Sequence, residues 1–181
     1  MKHRPKTLAA CVGLACAGIV APFVSTWESG GKQHLTAYQD IVGVWTICDG
    51  ITKGVRAGQV ETAAGCLVRQ EEELIAHAEP VLACAPGLRG RPHQLAASVS
   101  LAYNIGTAGF CRSSAAKHFN QGNVRGGCDA LLAFNKATYA KPQRGLTCVR
   151  RTDGKGYACV VRGLDRRRKA ERALCLTGVA A

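Results

Sequence analysis

The chain has 181 residues, with 24 lysines and arginines against 12 acidic residues and a formal net charge of +12 at neutral pH. That length suits one domain whose core needs no structural cofactor, and it leaves little room for a second domain. Aromatic residues are only 6% and no zinc-finger, RRM-like or other nucleic-acid module is present, so the charge speaks for solubility or for an anionic wall or membrane surface rather than for nucleic acid.

The chain begins "MKHRPKTLAACVGLACAGIVAPFVSTW", where Lys2, Arg4 and Lys6 precede an uncharged run from Thr7 to Thr26, the shape of an export signal. Three fates are open. Ala15-Cys16-Ala17 would pass as a small-residue cleavage site. "LAAC", Leu8 to Cys11, resembles a lipoprotein box, but the apolar stretch before it is too short to enter the export channel. The third fate is retention. Thr7 to Val24 is 18 residues, about 27 Å as a helix at ~1.5 Å per residue, which barely matches a hydrocarbon core of roughly 30 Å. Rich in Ala and Gly and carrying Pro22, it would insert only weakly and make a reversible anchor on the inner membrane through residues 7–24.

Thr36 to Ile51 is rich in β-branched and aromatic residues and broken by Gly43 and Gly50, which predicts short strands or a hairpin. "ETAAGCLVRQEEELIAHAE" reads as a helix with Cys66, Leu67, Leu74 and Ile75 on one face and Pro80 at its end. "RPHQLAASVSLAYNI" is the expected core helix, opened by Pro92 and followed by Gly106, with no charge between His93 and Cys111. "SSAAKHFNQG" predicts a short helix stopped by Gly122, and "NVRGGCDALLAFNKA" and "GLDRRRKAERALCL" predict two closing helices. The fold class is α+β: a small hairpin lobe and a mainly helical lobe after an N-terminal apolar helix. Residues 141–172 hold eleven basic side chains against three acidic ones, which reads as a basic helix face from Arg162 to Arg172.

Ten cysteines without a CxxC pair argue for disulfides and an oxidising compartment rather than for metal or thioredoxin chemistry. Eight lie after residue 40, and eight permit 105 connectivities. "CVRRTDGKGYAC", Cys148 to Cys159, suggests a hairpin closed by its own disulfide; the alternative pairs both thiols elsewhere.

Glu28 is the only acidic residue among the first 39 and Asp40 is the next. Cleavage of a glycosidic bond needs a proton for the departing oxygen and a carboxylate to organise water or stabilise the sugar cation. Glu28, behind Trp27 and an apolar segment, is expected to be partly desolvated and so protonated; Asp40 would turn into a cleft from the hairpin, and Thr46 could hold a water.

"TAYQDIVGVWTICDG", Thr36 to Gly50, resembles the active-site signature "AYxDxxGxxTxGxG" of phage-type lysozymes, the endolysins of glycoside hydrolase family 24. "SLAYNIGTAGFCRSS" is similar to that family's "SFAYNVG…FxxST", and "GLDRRRKAERALCL" to its "GLxxRRxxERxLC" helix, so the likeness runs from Trp27 to Leu176. It implies a lysozyme-like fold and a cofactor-free, metal-free monomer. The implied activity is hydrolysis of peptidoglycan at the β-1,4 bond between N-acetylmuramic acid and N-acetylglucosamine, with inversion and with Glu28, Asp40 and Thr46 as the catalytic set. The twelve-residue step from Glu28 to Asp40 exceeds the family's usual interval, the extra length falling in "SGGKQH". Cys48 stands where glycine is common, and Ile51 where histidine is frequent.

The weak apolar start also resembles signal-anchor-release endolysins, which implies residues 1–26 as anchor and 27–181 as catalytic domain, exported, tethered to the inner membrane, then released into the periplasm to lyse the host wall. Cys11 and Cys16 either act as a redox switch, exchanging with a disulfide that contains Cys48, or serve as small apolar residues. The expected disulfides are Cys48 with Cys66, Cys84 with Cys111, Cys128 with Cys175, matching two cysteines of family relatives, and Cys148 with Cys159. Two other function classes remain: a lytic transglycosylase, which needs neither Asp40 nor Thr46, and a non-catalytic cationic wall-binding protein.

Overall fold

The computed structural model describes residues 7–40 and 43–179; the basic start at Lys2, Arg4 and Lys6 lies outside them. Gly13, at φ 83°, breaks the apolar segment into α1 (Leu8–Val12) and α2 (Leu14–Ser29). The expected single helix over residues 7–24 is therefore not what forms. Among the described residues no helix is long and apolar enough to cross a membrane. Instead α2 buries Cys16, Val20 and Val24, spaced four apart on one face, and leaves Ala15, Gly18, Pro22 and Thr26 outward. It continues unbroken through residues 26 and 27 to carry Glu28 in its last turn.

Strands β1 (His34–Gln39) and β2 (Trp45–Cys48) form the expected hairpin. Tyr38 faces Thr46 and His34 faces Cys48, so four residue steps of β1 run against two of β2, with an irregularity between His34 and Tyr38. The irregularity is a bulge in β1. The displaced stretch pairs elsewhere: Ala37 N–H donates to Gln59 O at 2.8 Å and Glu61 N–H to Leu35 O at 2.8 Å.

The long helix α3 spans Ala63–Cys84 and is capped by the Thr62 hydroxyl. Pro80 does not end it: the helix passes through, because Val81 and Leu82 are buried in the next turn and a disulfide from Cys84 to Cys111 fixes that end. Its inward stripe is Cys66, Gln70, Leu74, Ala78 and Val81, whereas Leu67, expected on that face, is 59% exposed. The period hid a polar member of the stripe. Gln70 is buried because its amide donates to the Ala21 carbonyl of α2 at 3.2 Å.

Helix α4 (Pro92–Ile105) is the central element, buried continuously from Gln94 to Ala102. Helices α2, α3, α5 (Thr107–Cys111) and α8 (Arg162–Cys175) pack around it. The short α6 (Ser114–Asn120) and α7 (Val124–Ala130) cover one end, where Phe119 and Leu131 are buried. After α7 a 3-10 turn ends at Phe134 and the chain becomes β3 (Lys136–Tyr139), whose first two residues fall in the stretch that the sequence predicts as helix. It pairs with β5 (Tyr157–Val160), which also pairs with β4 (Cys148–Arg150), giving the order β3-β5-β4. Lys136 and Ala137 are recruited by long-range pairing with Val160 and Cys159, which local periodicity cannot show.

Four disulfides join Cys48 to Cys66, Cys84 to Cys111, Cys128 to Cys175 and Cys148 to Cys159, the expected pairs. Cys148 and Cys159 lie directly opposite in the β4–β5 ladder. Cys11 and Cys16 keep their thiols. Cys128–Cys175 spans 47 residues of sequence and Cys148–Cys159 only 11. From chain entropy, replacing the first pair by serine lowers the unfolding free energy by about 4 kcal/mol and replacing the second by about 3 kcal/mol, an ordering that urea titrations of the two variants will check.

Candidate active site

Glu28 occupies the last turn of α2, and the helix stops at Gly30 and Gly31, both in the left-handed region at φ 64° and 76°. Glycine is needed there because a Cβ would be strained, and the reversal sends the chain into β1. The expected apolar enclosure of Glu28 is not what the structure builds. Its Oε1 accepts a hydrogen bond from Arg167 Nη1 at 2.6 Å, an ion pair in which the side chains are 23% and 5% exposed.

Arg167 is itself held on three sides. Its Nε donates to Glu171 at 3.2 Å and its Nη2 to the Ser100 carbonyl at 3.3 Å, besides the bond to Glu28. Glu171 is fully buried, accepts from the Ser100 hydroxyl at 2.7 Å and pairs with the fully buried Arg168 at 2.7 Å. Burial, the larger effect, raises the Glu171 carboxyl above its ordinary range, while Arg168, Ser100 and Arg167 pull it back. Burial likewise lowers Arg168. Two arginines of the supposed basic surface of α8 are thus interior groups that carry charge from α8 through α4 to α2.

Asp40 stands at the end of β1. Its Oδ1 accepts from the Val44 N–H at 2.9 Å, and its own N–H donates to the Val44 carbonyl at 3.0 Å. Thr46, 3% exposed, donates its hydroxyl to the same Val44 carbonyl at 3.0 Å. The hairpin therefore gathers Asp40 and Thr46 around one residue. Glu28 meets the hairpin at its other end: a Cβ placed on Gly50 would lie 4.0 Å from Glu28 Cβ.

From Gly50 a cavity of about 190 Å³ opens, lined by Ile51, Thr52, Lys53, Glu73, His77 and Tyr103. It shares Ile51, Lys53 and Glu73 with a neighbouring depression of about 240 Å³ against α3. Tyr103 lies against His77, ring centroids 4.8 Å apart. Burial, then the charges of Glu28, Glu73 and Asp49, push its phenol above the ordinary range, so it stays neutral. Sequence reasoning missed Arg167, Arg168 and Glu171 as site components, although all three stand in the "GLxxRRxxERxLC" stretch. The available signal was their spacing, which places Arg167, Arg168 and Glu171 within one turn of each other.

A helix leading into a β-hairpin, with a mainly helical lobe behind them, is a lysozyme-like fold. The chain belongs to the phage lysozyme family, whose profile matches residues 28–171. It is 32% identical over 184 residues to the SAR-endolysin of Enterobacteria phage P21, covering 96% of this chain and 95% of that one. It is 33% identical over 165 residues to the SAR-endolysin of Pseudomonas phage phiKMV, covering 91% and 89%. In fold it resembles the endolysin from Escherichia coli O157:H7 phage FAHEc1, with TM-score 0.71 at 24% identity over 94% of this chain and 96% of that one.

Replacing Arg167 by methionine strands Glu28 and the buried Glu171 without this partner. Unfolding free energy falls by about 3 kcal/mol or more, measurable by urea titration at neutral pH.

Proposed function

We propose that this phage-lysozyme-family enzyme, a peptidoglycan hydrolase that lyses the bacterial host wall, cuts the β-1,4 bond between N-acetylmuramic acid and N-acetylglucosamine using Glu28, Asp40 and Thr46. The reading is supported by a carboxylate that Arg167 holds at the end of α2, with the hairpin exit at Gly50 against it, and by the gathering of Asp40 and Thr46 about Val44 in the same hairpin. Arg167 pairs with the ionised Glu28 through Oε1, so the acid role requires Glu28 to take up a proton from solvent on Oε2, the oxygen Arg167 leaves open, before passing it to the departing glycosidic oxygen. The Thr46 hydroxyl gives its one proton to the Val44 carbonyl, so toward a water it can only accept. A water donating one proton to Thr46 and the other to Asp40 presents a lone pair to the anomeric carbon, and attack from the face opposite the leaving group inverts it. Glu28→Gln lowers kcat on purified peptidoglycan by about 10²- to 10⁴-fold, the contribution of a general acid. Wild-type turnover by this variant would remove the assignment.

Residues 1–26 serve as a reversible inner-membrane anchor and 27–181 as the catalytic domain, released into the periplasm. The SAR-endolysin relatives support this reading. So does the position of Glu28 on the same helix as Cys16, Val20 and Val24: while those residues lie in lipid, the glutamate is withheld from the hairpin. Release lets α2 dock on α4 and delivers the catalytic carboxylate in one movement. The side of the segment left outward carries Leu14 beside the small or uncharged residues Ala15, Gly18, Pro22 and Thr26, with no charge that would oppose entry into lipid.

Cys11 and Cys16 remain candidates for a redox switch acting on the disulfide at Cys48. In the docked state Cys16 is buried, and burial, with Cys11 adding to it, pushes its thiol up to about 12. The thiolate is the nucleophile, so a thiol buried and shifted upward in this way is a poor nucleophile near neutral pH, and any exchange belongs to the undocked helix. Iodoacetamide at pH 8 should therefore leave Cys16 unmodified in the native protein and alkylate it in urea, as read by peptide mass. Native labelling of Cys16 would contradict the docked packing.

A further inference from the structure

The feature that the mechanism does not use is Asp49. It is 1% exposed, next to Gly50, and its Oδ1 accepts from two hydroxyls of α2: Ser25 at 2.9 Å and Ser29 at 2.5 Å. Its Oδ2 is buried with no hydrogen-bond partner among the described residues. A buried acceptor left unmatched costs on the order of 1–3 kcal/mol, so a carboxylate here is a poor choice for stability alone. Ser29 also has the Ser25 carbonyl of its own helix within 3.1 Å, yet lies nearer to Asp49.

Ser25 and Ser29 stand one turn apart, and Glu28 lies on the turn between them. That turn is where a helix frays, and the two glycines that follow restrain it little. We propose that Asp49 is a positioning residue for Glu28. Its carboxylate grips the last turn of α2 through Ser25 and Ser29, and the adjoining Gly50 packs against the glutamate, so that one dipeptide of the hairpin exit sets where Glu28 stands beside the cavity that Gly50 lines. Arg167 fixes the carboxylate; Asp49 fixes the backbone that bears it. The inference rests on the reading of Glu28 as proton donor. Asp49 touches no substrate and transfers no proton.

The test uses the full chain and soluble, uncross-linked peptidoglycan strands, comparing wild type, Asp49→Ala, Asp49→Asn, Ser29→Ala and Glu28→Gln for kcat, KM and thermal midpoint. Misplacing a catalytic group by about 1 Å can cost roughly 100-fold. Folded Asp49→Ala should therefore lose about 10- to 100-fold in kcat, with KM within about twofold of wild type. Asp49→Asn, which keeps an oxygen to accept from both hydroxyls, should recover most of that loss. A folded Asp49→Ala with unchanged kcat, or an asparagine variant no better than alanine, would overturn the proposal. Should the alanine variant not fold, Ser29→Ala decides: it removes one arm of the grip, must lower kcat without raising KM, and overturns the proposal if kcat is unchanged or KM rises. Glu28→Gln separates the premise, since activity in that variant sinks the reading of the acid itself, whereas an inactive Glu28→Gln beside an unaffected Asp49→Ala sinks only the grip.

Discussion

A carboxylate at the end of an otherwise apolar helix needs a counter-charge from elsewhere in the chain, and the structure meets that need from 139 positions away with Arg167. The pairing is the interaction on which the site depends, because it joins α2, α4 and α8 in one connected set of charges and hydroxyls. Isolated surface ion pairs contribute little. This one is sheltered, shares its guanidinium with Glu171 and the Ser100 carbonyl, and so has few other geometries open to it. The core around α4 does more than exclude water. It holds Glu28 by holding the arginine that this carboxylate needs.

Much of the architecture is visible in the sequence because it follows from local rules. Pro92 and Gly106 bracket α4, the β-branched and aromatic stretch broken by Gly43 and Gly50 becomes the hairpin, and the "DGKG" turn closes a ladder whose ends are the bonded Cys148 and Cys159. The failures have a common origin in distant partners. Pro80 sits inside α3 because burial and a disulfide hold the turn beyond it. Residues 136–139 form a strand because β5 offers them a ladder. Gln70 takes a core position because a carbonyl of α2 needs its amide. None of these can be read from a window of neighbouring residues.

The site divides in the same way. Asp40 and Thr46 lie close enough in sequence for a hairpin to bring them together, and the signature around them is dense. Glu28 is isolated as the only acid in its stretch, which made it legible by elimination. Arg167, Arg168 and Glu171 were in plain view but read as part of a charged surface, since a helix of mean sequence character like α8 gives no sign that two of its arginines face inward. Asp49 left no signal: it occupies an unspecified position of the signature, and its role depends on two serines that only docking brings near.

The division of α2 into an inward face of Cys16, Val20 and Val24 and an outward face of Ala15, Gly18, Pro22 and Thr26 also separates two properties that selection would otherwise have to trade. On the proposed anchoring, residence in lipid depends on the whole circumference of the helix, whereas packing on α4 depends on one side of it. Changes confined to the outward side can advance or delay escape from the bilayer while the folded enzyme stays as it is. On that anchoring the moment of lysis would be adjustable in small steps, independently of how well the enzyme works once it is free.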